Sequence, residues 1–177
     1  DSFGIRFKTP NGVIFTTGDF KVDLTPVSQN IDLTKLAQIG KEGVDLLLAD
    51  STNAEASGHT VSESDVVTSI DKVFEETPGR LIIATFSSNL YRIQQIVDIA
   101  VAHDKKIAII GRKTQKLVNQ AMQLGYLTIP NKNLANLRYI DDKNDNNDKN
   151  LVVLVTGERH EPYFMLQRMA RGIDRLI

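Results

Sequence analysis

From residue 32 onward the chain alternates short apolar runs with amphipathic helical stripes, and that alternation limits the fold more than any other feature. The runs cover residues 46–49, 81–84, 107–110 and 151–155. Each is four or five residues long, uninterrupted and rich in Leu, Ile and Val, as strands buried on both faces are. Between them lie periodic segments with cap signals. Asp32 precedes the stripe Leu33, Leu36, Ala37 and Ile39, which Gly40 or Gly43 ends. Ser62 with Asp65, or Thr60 with Glu63, forms a capping box before a helix with Val66, Ile70, Val73 and Phe74 on one face. Ser87-Ser88-Asn89 precedes the stripe Leu90, Ile93, Val97, Ala100 and Val101. Residues 114–124 form a further helix with Gly125 at its end, and Pro162 opens the last one. Residues 137–140 are expected to form a short strand, and 141–150, without an apolar residue, a solvated loop.

Strands alternating with helices of this length specify an α/β fold, a mainly parallel sheet with helices on both faces. The first twenty residues differ. Phe3, Ile5 and Phe7 alternate with Gly4, Arg6 and Lys8, and Pro10-Asn11-Gly12 turns the chain into a second strand, an antiparallel hairpin. The composition shift over residues 51–61 places a domain boundary there, giving 1–61 and 62–177.

In a parallel sheet, ligands bind beyond the carboxyl ends of the strands, where helix N-termini point. Three loops should open on that edge: Phe86-Ser87-Ser88-Asn89, Gly111-Arg112-Lys113-Thr114, and the loop from Thr156 to Glu161. The second lacks the glycine spacing of a phosphate loop, and no G-x-G-x-x-G follows a strand. What remains is a helix start bearing Arg112, Lys113 and Lys116, suited to phosphate by dipole and charge, or an ordinary solvated helix start.

Composition narrows the chemistry. The 177 residues contain no cysteine and three histidines, which excludes a disulfide scaffold, a thiolate zinc site and a cysteine nucleophile. His59, His103 and His160 lack H-x-H or H-x-x-x-H spacing. With 21 Lys+Arg against 22 Asp+Glu, a polyanion would have to meet a local patch. No apolar run approaches the ~18 residues of a membrane span. Two carboxylates attract attention. Asp19 follows Thr17-Gly18 at the end of the second strand, and Asp50 ends the apolar run 46–49. Aspartates at two strand ends can share a cation or serve as turn formers.

Taken together, five ordered blocks resemble the ribonuclease J family, in the β-CASP branch of the metallo-β-lactamase superfamily. They are Asp1-Ser2-Phe3-Gly4-Ile5; Thr16-Thr17-Gly18-Asp19-Phe20-Lys21-Val22-Asp23; Leu48-Ala49-Asp50-Ser51-Thr52-Asn53-Ala54; Ala84-Thr85-Phe86-Ser87-Ser88-Asn89; and Thr156-Gly157. The resemblance implies the end of a metallo-β-lactamase domain over 1–61, followed by most of a β-CASP domain over 62–177. It implies zinc-dependent hydrolysis of RNA phosphodiesters, 5′-to-3′ exonucleolytic and endonucleolytic, in cytoplasmic RNA maturation and decay. Two zinc ions would serve the full-length parent, as a homo-oligomer or paired with a paralogue. Carried over by position, Asp19 would bridge the ions and Asp50 would support the site without binding metal. Ser87, Ser88 and Asn89 would contact RNA, and with them the basic helix start at Arg112 and Lys113.

The family's H-x-H-x-D-H motif is absent, and its later histidine ligands would lie beyond Ile177, so the fragment is expected to be inactive and not to hold zinc tightly. The loop that in the family reads Ser-Gln-Gly-Glu-Pro is Glu158-Arg159-His160-Glu161-Pro162. That departure leaves open a weakened paralogue acting as an RNA-binding or assembly subunit. A free-standing nucleotide-binding α/β domain is a third reading.

Overall fold

The computed structural model describes residues 2–27, 30–135, 149–158 and 160–173. The chain divides into two compact units, Asp1–Val66 and Val67–Ile177.

In the first unit, β1 (Ile5–Thr9) and β2 (Gly12–Thr16) form the expected antiparallel hairpin, with Ile5 opposite Thr16 and Thr9 opposite Gly12. The strand β3 (Leu46–Leu48) adds to β2 in parallel, Thr16 beside Leu48. A parallel neighbour requires a crossover, which α1 (Leu33–Glu42) supplies. As its sequence requires, α1 starts at Asp32, whose side chain accepts from the Lys35 N–H at 2.8 Å, and ends at Gly43 with φ +93°. The Asp45 carboxylate staples the start of β3 to β2 by accepting the Val13 N–H at 2.6 Å. Gly12 is required opposite it, since a Cβ there would lie 2.7 Å from Asp45 Oδ2.

Two expectations fail here. Leu46, Leu47 and Leu48 are all exposed, although an apolar run of this kind specifies burial. In β1, Ile5 and Phe7 are exposed while Arg6 is half-buried, because its guanidinium reaches Glu42 of α1 at 2.5 Å. Three strands and one helix offer too little surface to cover the apolar faces that period and composition mark, and Phe15 is the one buried hydrophobic residue among those described in this unit.

The second unit holds the parallel sheet, in the order β4 (Leu81–Phe86), β6 (Leu151–Gly157), β5 (Lys106–Ile110). All seven residues of β6 are buried, as its central place and uninterrupted apolar sequence require. Leu81 pairs with Val152 and Phe86 with Gly157, while Ile110 pairs with Val155. A further bridge joins Leu134 to Ile107 on the outer side of β5.

The helices α2 (Glu63–Glu76), α3 (Leu90–Ala102) and α4 (Arg112–Gln123) pack against one side of the sheet through Phe74, Ile93, Ile96, Val97, Val118 and Ala121, over Ile107, Val152 and Leu154. On the other side α5 (Glu161–Ala170) places Met165, Leu166 and Met169 over Val153 and Val155. Helices therefore cover both faces, as the alternating pattern requires. The stripe of α2 needs one correction: Val67 joins Ile70 and Phe74 in the core, while Val73 is exposed. The strand expected at 137–140, and the loop after it up to residue 148, lie outside the described residues. No helix among the described residues is long and apolar enough to cross a membrane.

Candidate functional sites: two strand-end carboxylates and a sheet-edge crevice

Because β2 and β3 are adjacent and parallel, Asp19 and Asp50 follow strand ends on the same edge of the first unit's sheet. The element that ties these ends together is Thr17. Its N–H donates to Leu48 O at 3.0 Å, and its Oγ1 accepts the Asp50 N–H at 3.0 Å. Gly18 follows with φ +58°, and a Cβ there would meet Ser2 Oγ and sit 2.9 Å from Phe3 O, so the turn that delivers Asp19 needs glycine.

The two carboxylates then differ. Asp50 is half-buried and its Oδ1 accepts from Thr52, from the hydroxyl at 2.5 Å and from the N–H at 3.0 Å. These bonds, with smaller contributions from the N–H groups of Ser51 and Phe20, hold its carboxyl below the usual carboxylate range, against an opposing effect of burial. Asp19 is exposed, and among the described residues its carboxylate accepts no hydrogen bond and forms no ion pair. A free carboxylate fits a cation donor, and a satisfied one beside it fits a support. No group of three or more His, Cys, Asp or Glu side chains among the described residues could enclose a metal ion, so Asp19 offers one donor of a larger set.

Sequence reasoning passed over Lys21 and Asp23, four residues or fewer beyond Asp19. Asp23 accepts from Ser62 Oγ at 2.7 Å, from the Glu63 N–H at 2.8 Å and from the Thr25 N–H at 3.1 Å. Together these, the Glu63 N–H foremost, lower its pKa to about 2. Asp23 thus caps α2 from forty residues upstream, alongside the expected local cap Ser62, whose Oγ accepts the Ser64 N–H at 3.3 Å. Lys21 Nζ donates to Val61 O at 2.8 Å and lies 3.2 Å from Glu63 Oε1 and 3.4 Å from Asp23 Oδ2. The alternation of charged and apolar residues from Asp19 to Asp23 was the signal available for them.

In the second unit the three expected loops do open on one edge, since β4, β5 and β6 run parallel. Between them lies a crevice of about 280 Å³ lined by Ser87, Thr114, Lys116, Gln120, Glu158 and Glu161, with Leu117 as its apolar wall. That volume is below the roughly 300–1,000 Å³ of enclosed ligand cavities, which suits gripping one group of a longer ligand. Ser87 is 6% exposed, and its N–H donates to Gly157 O at 3.0 Å. Its hydroxyl has no hydrogen-bond partner among the described residues. Thr114 donates its hydroxyl to Thr156 O at 3.2 Å, fixing the start of α4 to the end of β6. Glu161 Oε2 accepts the Glu158 N–H at 3.1 Å and closes the loop before α5.

Of the expected contact residues, the crevice takes in Ser87. Ser88 and Asn89 are exposed, and Asn89 spends its Oδ1 capping α3 through the Arg92 N–H at 3.0 Å. Arg112 and Lys113 lie in the first turn of α4, ahead of the crevice residue Lys116.

Known proteins give this geometry a context. The chain is 39% identical to a ribonuclease J from Thermus thermophilus over 96% of its length, and 37% identical to one from Synechocystis over 97%. It is 40% identical over its whole length to a ribonuclease J from Helicobacter pylori. It spans 25–29% of the length of these relatives. Residues 78–177, which carry the parallel sheet and its crevice, match the ribonuclease J β-CASP domain, and the chain belongs to that family.

Proposed function

We propose that this chain is part of a zinc-dependent ribonuclease that hydrolyses RNA phosphodiesters, exonucleolytically from the 5′ end and endonucleolytically. The observation that carries the proposal is the contrast between Asp19 and Asp50: one carboxylate without a partner among the described residues, its neighbour ionised and held by Thr52. In this reading Asp19 would be a ligand to bound zinc, and Asp50 would orient the segment that bears it. Bound zinc would supply an activated water and charge stabilisation at phosphorus. The chain's own residues do the rest. Ser87 offers to the RNA backbone a hydroxyl with no partner among the described residues, Ser88 and Asn89 lie beside it at the start of α3, and Arg112 and Lys113 bring positive charge to the start of α4.

The test uses the full-length protein. Asp19→Ala should abolish hydrolysis and lower zinc content. Asp50→Asn should reduce activity by roughly 10–100-fold, the usual effect of removing a group that supports a metal ligand. The 177-residue chain alone should neither cleave RNA nor retain zinc through dialysis, and stoichiometric tight zinc on it would overturn the assignment of ligands.

A second reading is an RNA-binding or assembly subunit of weakened chemistry. The loop Glu158-Arg159-His160-Glu161-Pro162 favours it, because it departs from the Ser-Gln-Gly-Glu-Pro stretch usual in the family. Intact RNA affinity without hydrolysis in the full-length protein would select it.

A further inference from the structure

We propose that Lys21 and Asp23 are positioning residues for the Asp19 carboxylate, an inference that rests on reading Asp19 as a metal ligand. Asp19 lies in a stretch without helix or strand, residues 17–23. A metal-binding carboxylate in such a stretch needs its backbone held from both sides, or each cation bound must also order the chain. The upstream anchor is Thr17, bonded to Leu48 and Asp50. The downstream anchor is the Lys21–Asp23 pair, two and four residues on.

Asp23 is built as an anchor. Its side chain is 8% exposed, and both oxygens are used: Oδ1 takes Ser62 Oγ and the Thr25 N–H, Oδ2 the Glu63 N–H with Lys21 Nζ nearby. Lys21 adds its bond to Val61 O. All these partners lie in residues 61–63 or within two positions of Asp23, so the segment is tied to the first turn of α2. Helix capping alone would account for Asp23. It would not call for Lys21 to reach across to the Val61 carbonyl and Glu63 while sitting two residues from Asp19.

The experiment compares Asp19→Ala, Asp23→Ala, Asp23→Asn and Lys21→Met in the full-length protein. Zinc affinity is read by chelator competition, cobalt(II) absorption reports ligand geometry, and melting of the metal-free protein reports stability. The expected result is a loss of zinc affinity of about 10-fold or more for Asp23→Ala and Lys21→Met. Asp23→Asn should recover part of it, since its amide oxygen can still accept from Ser62 and Thr25. Lys21→Met leaves the Asp23 cap in place and keeps the test valid should Asp23→Ala fail to fold. If Asp19→Ala binds zinc like the wild type, the ligand reading itself fails and the proposal with it. If Asp19→Ala loses zinc while Asp23→Asn and Lys21→Met keep wild-type affinity and cobalt spectrum, positioning alone is overturned, and Asp23 is a helix cap.

Discussion

The Asp50 N–H donates to Thr17 Oγ1 at 3.0 Å, thirty-three residues away, and this bond aligns the ends of β2 and β3 where the two aspartates emerge. Parallel pairing alone brings the strand ends to one edge. The threonine hydroxyl sets how the chain leaves them, since it also donates to Gly18 O at 2.7 Å at the turn toward Asp19.

Replacing Thr17 by valine keeps shape and β-branching and removes the acceptor. The part-buried Asp50 N–H then lacks its partner, and stability should fall by about 1 kcal/mol. Thr17→Ser should restore most of it. Urea denaturation of the three proteins checks this, and equal midpoints would remove the bond from the account.

Acid should discriminate Asp23. Its folded pKa is about 2 against an ordinary 3.8, so the unfolded chain takes up the proton first as pH falls. The stabilisation it provides is complete above about pH 4 and disappears as pH drops toward 2. The stability margin of wild type over Asp23→Asn should therefore be constant from neutrality to about pH 4 and shrink below it. A margin that stays constant throughout the acid range would contradict the sign and the cause.

Two glycines should respond oppositely to alanine. Gly111 has φ +128°, and a Cβ there would lie 2.9 Å from Thr156 O, so Gly111→Ala should destabilise by more than about 1 kcal/mol. Gly40 lies inside α1 with nothing within 4 Å of an added Cβ, and Gly40→Ala should stabilise by roughly 0.5–1 kcal/mol. Thermal melting of the two variants gives the comparison.

RNA affinity should separate hydroxyl from charge. Ser87→Ala removes a hydroxyl without a partner among the described residues, so melting should stay unchanged while RNA binding weakens about fivefold, near 1 kcal/mol. Arg112→Ala with Lys113→Ala should weaken unrelated sequences alike and lower the slope of log affinity against log salt by about one for each phosphate no longer neutralised. A full salt slope in the double variant would return both residues to the solvated surface.

Much of the second unit was legible in the chain itself, because its signals are local. The run Leu151–Gly157 has no polar position before Thr156 and becomes the central strand. Asp32 and Asn89 cap the helices they precede, through bonds spanning three residues. Five blocks in order carried the family. The sequence determined the α/β class, the starts of α1 and α3 and the two aspartates worth watching, while α4 begins at Arg112, two residues before the expected 114.

Tertiary structure decided what depends on distant partners. The insertion of β6 between β4 and β5 is a pairing choice that no single strand encodes. Leu46–Leu48 reads as buried and is exposed within these 177 residues, which span 25–29% of the length of the relatives, because burial is a property of what covers a strand. Asp23 was invisible as a cap because its partners lie some forty residues on, and the contrast between a free Asp19 and a satisfied Asp50 exists only once Thr17 and Thr52 are in place. Local propensity acts over a few residues and can be seen in a line of text. Hydrogen bonds and packing between segments far apart in the chain depend on the path between them, and the folded structure alone supplies that path.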